Sequence, residues 1–190
     1  LWARGLRPYG IDASPAAVQA CHRRGLTGVD RGDVTALPYP DARFDVVCIN
    51  DALSHRDVPE AAALAELRRV CRPGGAFLVT DVAGPELYGR HDRAFDGARR
   101  YRRDDLLSRV RAAGLTVLRH NHHNVALYPA VRAVKAVKNR LGLGDEVDQA
   151  ATPPPLDTLL RGVLTAEAAW IRRVDFPFGV GIMIAGRREA

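Results

Sequence analysis

The amino-acid sequence predicts an α/β fold built on a mostly parallel sheet with helices on both faces. Two observations carry this. Strand-like and helix-like segments alternate in the order β-α-β-loop-β-α-β. The runs Phe44–Ile49 and Ala76–Val82 are largely apolar rather than alternating, as expected of strands buried on both faces. At 190 residues the chain is long enough for one domain with a real core and too short to argue for two.

The elements follow in order. A short strand spans Pro8 to Asp12. Ser14 and Pro15 then read as N-cap and first helical residue, because serine satisfies free N–H groups and proline suits the first turn. That helix presents Val18 and Cys21 and stops at Gly25. A weak strand near Val29 leads to Gly32-Asp33, and Ala36 to Ala42 is a proline-marked loop. After the strand Phe44–Ile49, Ala61 to Val70 has helical spacing, with Leu64, Leu67 and Val70 in phase. Pro73-Gly74-Gly75 turns the chain into the strand Ala76–Val82. Gly84 to Tyr101 reads as an irregular polar insertion. A helix over Asp104–Ala113 ends at Gly114, and a strand covers Leu115–Arg119. A helix over Ala130–Leu141, a loop over Gly142–Pro155, a long amphipathic helix over Leu156–Arg173 and a final apolar strand over Gly179–Ala185 complete the chain.

Composition narrows the function. The net charge is +6, but 26 of the 28 basic residues are arginine and they are spread along the chain, so a nucleic-acid partner is not favoured. No apolar run approaches the roughly 20 residues of a membrane span. The first residues lack the charged and apolar regions of a secretory leader. Cys21, Cys48 and Cys71 form no C-x-x-C pair. Each reads as a small core residue, and a reducing cytoplasm is the natural setting.

In an open parallel sheet, ligands bind beyond the carboxyl ends of the strands. Asp12 ends the first strand, Asp33 follows the second, and Asn50-Asp51 ends the third. A carboxylate there can accept hydrogen bonds from two ribose hydroxyls, since it offers acceptors only. The alternatives are a helix-preceding cap for Asp12 and a turn residue for Asp33. Asp45 opens a strand and reads as structural.

Gly10-Ile11-Asp12-Ala13-Ser14-Pro15 resembles the ribose-binding segment of class I S-adenosylmethionine-dependent methyltransferases, of the type 11 kind. Gly32-Asp33-Val34-Thr35-Ala36-Leu37-Pro38 resembles their adenine-side segment, followed by Phe44-Asp45-Val46-Val47. Arg72-Pro73-Gly74-Gly75-Ala76-Phe77-Leu78-Val79 resembles their lead into strand five, and Tyr101-Arg102-Arg103-Asp104-Asp105-Leu106-Leu107 with Ala113-Gly114-Leu115 continues the likeness. The resemblance implies a Rossmann-like sheet with an antiparallel last strand and a methyl transfer from S-adenosylmethionine to a small-molecule acceptor. It implies cofactor-binding roles for Asp12 and Ala13 at the ribose, Asp33 and Val34 at the adenine, and Asn50 near the methionine part. The family's first strand and its G-x-G-x-G turn have no counterpart here, and Leu1–Gly5 resembles the end of the helix that follows that turn. The expectation is a single truncated domain over residues 1–190 with the first strand missing and two sheet edges exposed. The alternative is a catalytically inactive remnant or a protein-binding module.

Methyl transfer needs orientation first, and a base only where the acceptor must lose a proton. His55, shortly after Asn50, is the catalytic candidate, with a loop or cap histidine as the competing reading. Tyr101 lines a pocket or packs, packing being favoured. His120, His122 and His123 follow a strand; only His120 and His122 share a face, so no metal site is expected. The helical insertion at about 125–178, with that at 84–101, is where the resemblance places the acceptor pocket. Its basic helix, with Arg132, Lys135, Lys138 and Arg140, would suit a membrane surface or a lipid-like acceptor, but a cap helix with solvated charges is the favoured reading. No tyrosine is followed four residues later by lysine and no P-loop occurs, which disfavours a short-chain reductase and a kinase.

Overall fold

A computed structural model describes residues 7–141 and 153–189. The order is β1 (Gly10–Asp12), α1 (Pro15–Arg23), β2 (Val29–Arg31), β3 (Phe44–Asn50), α2 (Glu60–Val70), β4 (Cys71–Val82), α3 (Arg90–Ala94), α4 (Arg103–Ala112), β5 (Thr116–His123), α5 (Tyr128–Leu141), α6 (Pro154–Trp170) and β6 (Gly181–Arg187). The predicted start and stop of α1 are both observed. Ser14 Oγ accepts from the Ala17 amide at 3.3 Å. Gly25 takes φ +79°, a left-handed conformation glycine adopts without a Cβ clash.

The strands form two sheets. β1 and β2 pair in parallel. The second sheet has the order β3-β4-β6-β5. β3 and β4 are parallel, and β6 runs antiparallel to both β4 and β5. β3, β4 and β5 therefore point the same way, and β6 is the antiparallel last strand. Arg72–Gly75 bulge out between the Phe44–Cys71 and Val46–Ala76 pairs, with Gly74 at φ +73°, so the predicted turn sits inside β4.

α2 and α4 touch each other and lie against β3, β4 and β5. On that face Phe77, Val79, Ile182 and Ile184 meet Leu64, Leu67, Leu106 and Val110 in one buried cluster. Each such side chain contributes about 1.5–3 kcal/mol on burial. The close packing needs Gly186. A Cβ there would come within 2.0 Å of the Thr116 carbonyl and 2.7 Å of the Phe77 ring.

Three expectations are corrected. β3 is not buried on both faces. Ile49 is buried against the core, but Val46 is 60% exposed and Cys48 is also exposed. The reason is tertiary: β3 is an edge strand of its sheet, and among the described residues only its Val47/Ile49 side is packed against the core. The cysteines are not three core residues, since only Cys71 is buried and Cys21 is intermediate. The 84–101 insertion is not irregular throughout, containing a 3-10 turn at Pro85–Leu87 and α3. The two sheets approach at their lower ends, where the Tyr9, Tyr39 and Phe44 rings stack with centroids 4.9 to 6.2 Å apart.

β5 runs on to His123, so the three histidines lie within a strand rather than after it. Most of the predicted loop over Gly142–Pro155 lies outside the described residues; Pro154 and Pro155 begin α6.

Candidate cofactor and acceptor site

Asp12 and Asp33 lie at the carboxyl ends of the paired strands β1 and β2, and Asn50 ends β3 in the other sheet. Asp12 closes β1, and Asp33 follows the end of β2, with Asp12 and Arg31 paired in register. Both carboxylates are exposed and both make a local turn. Asp12 Oδ1 accepts from the Ser14 amide at 2.8 Å. Asp33 Oδ1 accepts from the Thr35 amide at 2.8 Å and the Thr35 hydroxyl at 2.7 Å. Those hydrogen bonds hold the Asp33 carboxyl below its ordinary range. The cap and turn roles are thus real, yet each uses one oxygen only. The Oδ2 atoms take no hydrogen bond among the described residues and remain able to accept from hydroxyl or amino groups. Ala13 is exposed between Asp12 and the N-cap, and Val34 is half-buried against the core cluster.

Asn50 ends β3, and its Oδ1 accepts from the Thr80 hydroxyl at 3.3 Å. The chain then turns sharply, with Asp51 at φ +51°, a left-handed value uncommon outside glycine. The loop that follows is fixed from beneath. Asp81 Oδ2 accepts from the Ser54 amide at 3.1 Å, and Oδ1 from the Val82 amide at 2.8 Å. Asp81 is fully buried, and burial pushes its carboxyl upward against the pull of these bonds. Leu53 is buried, and its carbonyl lies 2.9 Å from the Tyr101 hydroxyl.

His55 is half-buried on this loop, bridged by backbone to Gly97. The Arg56 amide donates to the Asp96 carbonyl and the Ala98 amide to the Ser54 carbonyl, both at 2.8 Å. Tyr101 packs, as favoured. It is buried, its hydroxyl touches Glu60 Oε1, and burial with the Glu60 charge pushes its ionisation far up. Glu60 also receives Arg99 at 2.5 Å and Arg109.

The β5 histidines do not converge. His122 is buried with Nδ1 2.9 Å from the Phe176 carbonyl, and burial lowers its proton affinity. No group of three or more His, Cys, Asp or Glu side chains able to hold a metal occurs among the described residues.

Two features escaped the sequence reading. One is Asp81, whose signal was an acid inside an apolar run. The other is an open groove of about 550 Å³ lined by Tyr128, Pro129, Arg132, Ala133, Ala136 and Phe178. The Tyr128 and Phe178 rings lie 5.1 Å apart, and Tyr128 donates to Glu86 at 2.6 Å. Nothing local in the sequence links residues so far apart.

Residues 1–79 match the family model described as Methyltransferase domain. The chain is 45% identical over 76 residues to phthiotriol/phenolphthiotriol dimycocerosates methyltransferase 1 of Mycobacterium ulcerans, covering 38% of this chain and 28% of that protein. It is 40% identical over 86 residues to the fatty-acid O-methyltransferase of Mycolicibacterium smegmatis, covering 42% of this chain and 31% of the relative. The chain thus spans about three tenths of the length of these relatives. Among solved structures, geranyl diphosphate methyltransferase in complex with SAM superposes at a TM-score of 0.59 and 13% identity, over 97% of this chain and 69% of that one. Phosphoethanolamine N-methyltransferase 2 of Haemonchus contortus superposes at 0.57 and 14% identity, over 98% and 44%. Residues 1–79 thus match a methyltransferase domain in sequence, and the described chain shares the fold of solved methyltransferases.

Proposed function

We propose that the chain serves methyl transfer from S-adenosylmethionine to a small-molecule acceptor with a lipid-like body. The observation that carries the reading is the pair Asp12 and Asp33. They stand beyond adjacent parallel strands, each with one oxygen fixed in a turn and the other open to a ligand. That donor-seeking pair fits a nucleoside, with Asp12 and Ala13 at the ribose hydroxyls, Asp33 at the adenine amino group and Val34 against the ring. Asn50 would lie on the side of the methionine part. The bound cofactor supplies an electrophilic methyl group on a positively charged sulfur. On that group an acceptor would be methylated as the carbon–sulfur bond breaks, the electron pair going to sulfur, and the residues of this chain would only have to hold the two in line.

The residues of this chain orient and exclude. The Asp81–Ser54 clamp holds the 51–55 loop, and with it His55, in one position. His55 takes the proton when the acceptor is a hydroxyl, and is dispensable when the acceptor is already a carboxylate. The relatives' names point to fatty acids and phthiotriol dimycocerosates, and the groove at Tyr128 and Phe178 offers an apolar wall for the chain of a fatty acid. The three free cysteines fit a reducing, cytoplasmic setting.

The test is calorimetric titration of S-adenosylhomocysteine into the chain and into Asp12→Ala and Asp33→Ala. Binding that weakens about tenfold or more in each variant supports the reading, as expected for a lost bond to an open carboxylate. No binding to the parent chain would favour the second reading, a module that pairs through the open edge of β3, where Val46 lies exposed.

A further inference from the structure

α5 carries four cations, Arg132, Lys135, Lys138 and Arg140, and no acid. Its faces are used differently. Tyr128, Pro129, Arg132, Ala133 and Ala136 line the groove against Phe178. Tyr128 is tied to Glu86, and Lys135 to the Leu87 carbonyl and, at 3.5 Å, to buried Asp92. These contacts fix which side of the helix faces the body. The stripe left outside is apolar: Val134, Val137 and Leu141 are 53%, 54% and 63% exposed. By helical spacing Lys138 and Arg140 flank it on opposite sides. α6 also leaves apolar side chains outside, without a cationic edge. None of its residues is buried, and Leu156, Leu159 and Trp170 fall on one face, with Trp170 64% exposed. Glu167 accepts from the Ala126 amide at 2.9 Å, which anchors α6 near the start of α5.

An outward apolar stripe edged by cations, on a helix held to the body by its other side, has the form of an interfacial helix. We propose that α5, with Trp170 of α6 beside its base, docks the protein onto the surface of an anionic lipid bilayer. The charge decides between occupants. A second copy of this face would set the cations that edge the stripe, Lys138 and Arg140, against like charges, whereas an anionic bilayer complements them and accepts valine, leucine and tryptophan at its headgroup boundary. The inference is read from the helices alone and stands apart from cofactor binding.

The test is co-sedimentation of the chain with vesicles of phosphatidylcholine alone or mixed with phosphatidylglycerol. The expected result is binding to the mixed vesicles that weakens as salt rises. A Val134→Asp/Val137→Asp variant should lose about tenfold or more in affinity, the scale of two apolar side chains kept in water. Arg140→Glu should weaken binding by about fivefold or more, as one anchoring charge is reversed. All three positions are exposed, and circular dichroism checks that both variants keep the fold. No binding to the mixed vesicles overturns the proposal, as does equal binding by the aspartate variant. A dimer in light scattering that the same variant dissociates, with no vesicle binding, assigns the face to a second copy and also overturns it. S-adenosylhomocysteine titration of the same samples reads the cofactor site independently, so the failure of either reading is seen separately.

Discussion

Removing the Glu60 carboxylate should cost far more than removing its arginine partner Arg109. Glu60 opens α2, and its side chain is 6% exposed. It draws together Arg99, the Tyr101 hydroxyl and Arg109 on α4. Breaking a fully buried ion pair costs roughly 3–5 kcal/mol, because a charge is left uncompensated. Here Arg99 and Arg109 are 35% and 50% exposed, so water recovers part of their charge, and the Tyr101 hydroxyl keeps the Leu53 carbonyl. The cost of Glu60→Ala is therefore about 2–3 kcal/mol, against about 0.5 kcal/mol for Arg109→Ala at the wetter end. Urea unfolding followed by circular dichroism reads both. Burial pushes the Glu60 carboxyl up, but the bonds from Tyr101 and Arg99 and the charges of Arg99 and Arg109 outweigh it and lower it overall. A lowered carboxyl contributes stability that is fully present above its unfolded value of 4.5 and fades as pH falls through the folded one. The difference between parent and Glu60→Ala should shrink on acidification below that value. Equal costs for the two variants, or a Glu60→Ala loss below about 0.5 kcal/mol, would refute the view of Glu60 as the hub.

Three further outcomes are expected. Gly186→Ala, with its Cβ driven toward the Thr116 carbonyl and the Phe77 ring, should destabilise by about 2 kcal/mol or more in thermal or urea unfolding. Ser14→Ala removes the cap on the Ala17 amide and should cost about 1 kcal/mol, with Ser14→Asp restoring most of it. Asp81→Asn leaves one of two backbone amides without an acceptor and should cost about 1 kcal/mol near neutrality. Because burial raises the Asp81 carboxyl, the parent loses stability from this group as pH rises from 3.8 through the raised value, and the asparagine variant should lack that slope in unfolding titrations.

The parts legible in the sequence are those fixed within a few residues. Ser14-Pro15 and Gly25 bound α1 through local capping, and Asp12 and Asp33 sit in turns their own side chains complete. The rest depends on partners far along the chain. Phe44–Asn50 carries the apolar run of a central strand, but whether it is covered is decided by what lies beside it. His120–His123 is too polar to read as strand, and pairing with β6 makes it one. Glu60, Asp81 and the Tyr128–Phe178 groove are assembled across loops, so spacing gave no sign of them.

The placement of β6 constrains how the molecule can assemble. It lies between β4 and β5, so those two strands never meet and each waits for the same late segment. On its β6 side Ala76 finds its ladder partner at Arg187, about a hundred residues on, which is the kind of distant pairing that slows folding. On a ribosome, β4 and β5 would emerge with a shared vacancy between them, and the core over Phe77 and Val79 would stay half-formed until Ile182 and Ile184 arrive. During that interval the growing chain presents two unpaired strand edges side by side, which makes synthesis, rather than the finished fold, its period of greatest exposure to aggregation.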